Sequence, residues 1–237
     1  MTVIVSQYTP EGIVIGADGM RKDCNTKSVE SLTARKLFSA ESRDVISAYG
    51  WAGATALYFA DRLPFSFVEA SQSTVRTMRR EYCGFPAYVE NFAKAIYKKI
   101  LEHCGGNLNP TPAWFLDGEL ARVLFVGYER DLPLQMEVIF RNKGGMVIQP
   151  EVSKPRRPSK DLKIFSGSND VWLRLQDSMF APSTIKDGVE IVRTYIQACS
   201  DHCDVYFDCQ GVGGHIHIGV ITPKGFDWSI PPYGCER

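Results

Sequence analysis

No stretch of this chain is long and apolar enough to span a bilayer, and Met1 is not followed by the basic region and apolar core of a signal peptide. The expectation is a cytoplasmic protein with no membrane partner. An excess of one charge is also missing: 27 basic and 27 acidic residues leave a formal net charge of zero. The electrostatic footprint of a nucleic-acid partner is therefore absent. Seven cysteines, an odd number at irregular spacing, do not make a disulfide framework and read as reduced thiols. The cluster Cys199, His202, Cys203, Asp204, Asp208 and Cys209 lacks a Cys-x-x-Cys knuckle. His215 and His217 alternate, so they share one face of a strand, which is also the pattern of a half-buried strand. Neither group is read as a metal site, and no cofactor is expected.

What is present is ordinary globular composition, with 44% hydrophobic and 23% charged residues over 237. That is enough for one well-buried domain spanning 1–237. The chemistry concentrates in the first thirty-six residues. Thr2 stands directly behind Met1, and removal of Met1 would give one residue both a hydroxyl and a free α-amine. Such a residue is a nucleophile with its own general base. An α-amine titrates near about 7.7–8.0 when unperturbed, and a neighbouring cation lowers that value. Lys36 is the candidate cation.

Local pattern brings these residues together. Thr2 to Tyr8 is rich in β-branched residues and reads as a strand. Thr9-Pro10-Glu11-Gly12 fits a type I turn, and Ile13 to Ala17 returns. Asp18 is thereby expected near Thr2. A second hairpin, Arg35 to Ser39 and Val45 to Tyr49 around Glu41–Asp44, could hold Lys36 against Asp18.

The segments Thr2-Val3-Ile4-Val5-Ser6, Gly12 to Gly19, Lys36 and Gly50-Trp51-Ala52-Gly53-Ala54-Thr55-Ala56 resemble the proteasome β-type subunits. They resemble still more the peptidase subunit of the bacterial heat-shock two-component protease, and both are N-terminal-nucleophile threonine hydrolases. The resemblance implies Thr2 as nucleophile, Asp18 and Lys36 as the groups that tune it, and Gly53 as the backbone oxyanion donor. Lys163-Ile164-Phe165-Ser166-Gly167-Ser168 is similar to that group's strand and Gly-Ser turn, and so implies Ser166 as the partner of the threonine amine.

Beyond the N-terminus, Ala52–Leu63 is expected to be a helix, and 64–84 an exposed segment or short amphipathic helix. A long helix opens at Pro86 and ends before Gly105-Gly106, and 110–118 is a loop. Strands follow at Arg122–Glu129 and Leu134–Phe140, then a surface loop over 149–160. A helix is expected from about Asp170 to Met179, and another capped by Ser183 or Thr184. His215–Thr222 is the last well-marked strand. This order predicts an α+β fold, a four-layer αββα sandwich of two antiparallel sheets flanked by helices.

Two departures from the resemblance stand out. Where the Asp-x-x-Ser-Gly-Gly support segment is expected, the chain has Cys209-Gln210-Gly211-Val212-Gly213-Gly214, with Asp208 as the candidate substitute. Met20 replaces an arginine, with Arg21 one residue later. The implied function is a threonine-type endopeptidase in a self-compartmentalising homo-oligomeric ring, acting on protein or peptide and fed by an ATPase unfoldase. The alternatives are an amidohydrolase for a small amide and a non-catalytic ring subunit.

Overall fold

The computed structural model describes residues 2–22, 28–53, 56–57, 63–104, 118–143, 146–178 and 181–234. In chain order, the first hairpin is β1 (Ile4–Thr9) and β2 (Gly12–Ala17), followed by the small pair β3 (Arg21–Lys22) and β4 (Val29–Ser31). The second hairpin is β5 (Leu37–Glu41) and β6 (Val45–Gly53). The short strands β7 (Ala56–Leu57) and β8 (Phe65–Ser66) pair before helices α1 (Phe67–Met78) and α2 (Phe85–Cys104). A long hairpin, β9 (Gly118–Glu129) and β10 (Leu132–Lys143), comes next, with β11 (Met146–Val147) and β12 (Glu151–Val152) along its edge. Then come β13 (Lys163–Ser166), α3 (Asn169–Leu175), α4 (Ile185–Asp201), β14 (His217–Thr222) and β15 (Gly225–Ile230).

Two antiparallel sheets result, ordered β13-β1-β2-β14-β15 and β11-β10-β9-β6-β5. They face one another across a core of aliphatic residues from both, among them Ile4, Ile13 and Ile15 from the first and Leu37, Leu124 and Val126 from the second. Helices α1 and α2 cover the outer face of the second sheet through an aromatic-rich cluster that includes Trp51, Phe67, Tyr88, Phe92 and Phe125. Helix α4, with α3, covers the outer face of the first sheet. This is the expected αββα sandwich. Continuous apolar runs explain it, because a strand buried on both faces must be apolar on both. β2 accordingly reads Gly-Ile-Val-Ile-Gly-Ala and is buried throughout.

Helix α4 lies close to β2 because glycines meet there. A Cβ on Gly16 would sit 2.2 Å from Val192 Cγ1, and one on Gly188 would sit 2.9 Å from Val14 Cγ2. The helix starts on a capping box: Thr184 Oγ1 accepts the Asp187 N–H, and the Asp187 side chain accepts the Thr184 N–H. Thr184, not Ser183, is therefore the cap.

Several expectations are corrected. Ala52 and Gly53 continue β6 rather than opening a helix, because Trp51 and Ala52 pair with Val123 and Arg122 inside the sheet. Ala56–Leu57 is also strand, and 58–62 lie outside the described residues. The segment after Pro64 is helix α1, capped by Ser66 Oγ on the Glu69 N–H. Its polar Ser71 and Thr74 face inward, with Ser71 Oγ satisfied by the Phe67 carbonyl at 2.6 Å, so the apolar pattern is masked. β9 and β10 run several residues beyond the expected strands, β15 follows the last well-marked strand, and α3 gives way to a 3-10 turn at Gln176–Ser178. The 149–160 loop is pinned by a Gln135–Arg156 bridge. Gly105-Gly106 and the loop expected from Pro110 fall outside the described residues, apart from Gly118, which begins β9.

Candidate functional site

Asp18 follows the last residue of β2, and β2 pairs with β1 so that Ala17 opposes Ile4. The register sets the Asp18 carboxylate beside the start of the chain. Its Oδ1 accepts the Val3 N–H at 2.8 Å, one peptide unit from Thr2. The same oxygen accepts Lys36 Nζ at 2.8 Å. Its Oδ2 takes the Met20 N–H at 3.2 Å and the Gly213 N–H at 3.3 Å. Asp18 and Lys36 are buried, at 0% and 5% exposure, so this is an interior ion pair. Burial lowers the Lys36 ammonium from its ordinary range, and the Asp18 carboxylate works against that shift.

Lys36 precedes β5, in the other sheet. Its carbonyl accepts the Trp51 N–H at 3.1 Å, while its own N–H is donated to His217 Nε2 at 3.1 Å. The ion pair thus ties the two sheets together at one end. Ser166 lies across β1, paired with Ile4, and its Oγ donates to the Thr2 carbonyl. Thr2, Asp18, Lys36 and Ser166 are therefore brought into one cluster.

Gly53 is not drawn into it by any described contact. It ends β6 with φ +90°, opposite Ala121, where a Cβ would approach the Leu120 carbonyl oxygen to 2.8 Å. Ala54 and Thr55 lie outside the described residues. Asp208 is exposed on a 3-10 turn (Phe207–Cys209). The glycine segment that follows it acts through its backbone: besides its N–H to Asp18, the Gly213 carbonyl accepts the N–H of Gly19 and Met20. A Cβ on Gly214, at φ +74°, would fall 2.3 Å from the Leu32 oxygen, so the close approach requires glycine.

His217 borders the site, although the alternating pattern marked it only as a residue of a half-buried strand. It opens β14, opposite Ala17, and is 1% exposed. Burial first, and then the Lys36 cation, push its pKa down to about 3. The available signal was its place: the second of two alternating histidines at the head of an apolar strand, in a chain where a buried carboxylate and lysine must meet. His215 lies outside β14, its Nε2 within 2.8 Å of the Pro231 carbonyl oxygen. Among the described residues, Cys83, Cys199, Cys203 and Cys209 are free thiols, and no His, Cys, Asp and Glu side chains gather as a metal site. No described helix is long and apolar enough to cross a membrane.

No family model matches this chain, and no curated protein matches it by sequence. Similar solved structures include a Gly-1 mutant of Anbu from Hyphomicrobium sp. strain MC1, at TM-score 0.57 and 11% identity over 97% of this chain and 85% of that one. They also include Anbu, described as an ancestral beta-subunit, from Yersinia bercovieri, at TM-score 0.52 and 11% identity over 98% and 88%. These findings overturn the resemblance to proteasome β-type subunits and to the heat-shock peptidase as an assignment, since neither family's model matches and the similarity runs to Anbu structures. The physical reason is that the order of two hairpins, helices and strands belongs to the fold, which diverging sequences can share. What this chain has in common with the Anbu structures is the αββα architecture of N-terminal-nucleophile hydrolases.

Proposed function

We propose that this chain is a hydrolase of peptide amides in which Thr2, freed by loss of Met1, is the nucleophile. The observation that carries the reading is the buried Asp18–Lys36 pair, held on the oxygen that also takes the Val3 N–H. Buried ion pairs are weak devices for stability, so one at the N-terminus of a strand favours a chemical role. Thr2 Oγ attacks the carbonyl carbon and its proton passes to the Thr2 amine. A tetrahedral intermediate forms, the amine component leaves with a proton, and water releases the acyl group from Thr2. Lys36 keeps positive charge beside the reacting end, which favours the neutral amine. Ser166 orients Thr2 through its carbonyl. Backbone N–H near Gly53 is the proposed oxyanion donor.

The substrate class proposed is peptide, and the description of the Yersinia protein as a beta-subunit supports an assembly of copies. The test is intact mass before and after exposure to a peptide epoxyketone, with sedimentation of the same sample. Loss of Met1, one adduct, no adduct in Thr2→Ala and a multimeric species are expected. A processed chain that stays unmodified would overturn the threonine chemistry.

A further inference from the structure

We propose that His217 is a positioning residue for the Lys36–Asp18 pair, holding the lysine main chain where its ammonium reaches the carboxylate. The proposal rests on the threonine-hydrolase reading for its consequence, and on the hydrogen bonds around Lys36 for its substance. Lys36 lies one residue before β5, so the ladder of that strand begins after it. Its carbonyl is fixed to the second sheet through Trp51, and its N–H to the first through His217 Nε2. Its side chain crosses to Asp18, the residue after β2. Three anchors, at its carbonyl, its N–H and its ammonium, hold this one residue between the two sheets.

The ring is itself held. His217 opposes Ala17, the residue before Asp18, so the histidine and the carboxylate arrive from neighbouring strands. A hydrogen bond to the His215 backbone engages it, and the Trp228 ring meets it edge-on at 6.4 Å. Because Nε2 accepts from Lys36, the proton of the neutral ring belongs on Nδ1. The titratable groups facing the ring are Lys36, Arg35 and His215, and with burial they keep it neutral and its Nε2 lone pair available. Protonation would put a second cation against Lys36 and remove the acceptor.

The experiment follows Lys36 Nζ and the His217 ring nitrogens by NMR in the full chain, with His217→Met and His217→Gln alongside. Methionine removes the ring nitrogen acceptor, whereas glutamine keeps an acceptor oxygen. The expected results are an unprotonated Nε2 in the unsubstituted chain at neutral pH, and a Lys36 titration in His217→Met displaced further downward, because a weakened contact with Asp18 removes what opposes the effect of burial. Epoxyketone adduct formation should slow by roughly tenfold to a hundredfold in His217→Met, as small misplacements at reacting groups do, and recover in His217→Gln. A protonated Nε2 at neutral pH overturns the proposal even if His217→Met fails to fold. So does an unchanged Lys36 titration in folded His217→Met. If Lys36 moves with His217 but the processed, unsubstituted chain forms no adduct, the positioning role stands and the threonine chemistry is what fails.

Discussion

Lys36 and Asp18 are coupled, but their removal should not be symmetrical. Lys36→Met leaves a carboxylate that still accepts three backbone N–H groups, from Val3, Met20 and Gly213. Asp18→Asn leaves a buried ammonium without its counter-charge and exchanges one acceptor oxygen for a donor. Breaking a buried pair from one side costs about 3–5 kcal/mol, and the asparagine variant is expected at the high end. The double variant should lose less than the two singles together. Chemical denaturation of the four proteins checks both points. His217 adds a pH dependence of definite sign. Its folded pKa, about 3, lies below the ordinary value of 6.5, so between the two the unfolded chain binds the extra proton. Its contribution is fully present above pH 6.5 and is lost as pH falls toward 3, a loss on the order of a few kcal/mol. Denaturation midpoints measured across that range should fall with acid, and less steeply in His217→Gln.

At the scale of elements, the contact of α4 with β2 is a shape constraint rather than a chemical one. Gly16→Ala would drive a methyl into Val192 and Ile196, and overpacking of this kind costs about 1–3 kcal/mol. Thr184→Ala, which removes the cap of the same helix, should cost about 1 kcal/mol. Thermal unfolding of the two variants ranks them. The sequence made the first two hairpins, the stripe of α2 and the capped start of α4 legible, because in each the local pattern and the tertiary demand agree. It misled where they diverge. Ala52 and Gly53 are small enough for the start of a helix, but the second sheet takes them as strand. Ser71 and Thr74 look like surface, yet α1 buries both, with Ser71 Oγ bonded to the Phe67 carbonyl one turn back. In the site, Asp18 and Lys36 were visible from spacing, because hairpin geometry places ends beside starts, whereas Ser166 came only from the resemblance of its Gly-Ser turn. His217 was not, since its role depends on a strand 181 residues from Lys36.

At the scale of the whole molecule, the cluster is a joint between two sheets. Asp18 and His217 belong to the first, while Lys36 is the residue that leads into the second, and the aliphatic layer between them sets their separation. Leu124 lies in that layer, whereas Ile96 lies in the outer core under α2. Truncating either to alanine should destabilise by about 2–5 kcal/mol, the usual range for a buried aliphatic residue. Their effects on the site should differ. Leu124→Ala loosens the contact that carries Lys36 to Asp18 and is expected to slow epoxyketone adduct formation. Ile96→Ala leaves the inter-sheet layer intact and should react at the unsubstituted rate at temperatures where both variants are folded. Adduct rates by intact mass, measured well below each unfolding midpoint, separate the two. Equal slowing in both would mean that the site depends on overall stability and not on the spacing of the sheets.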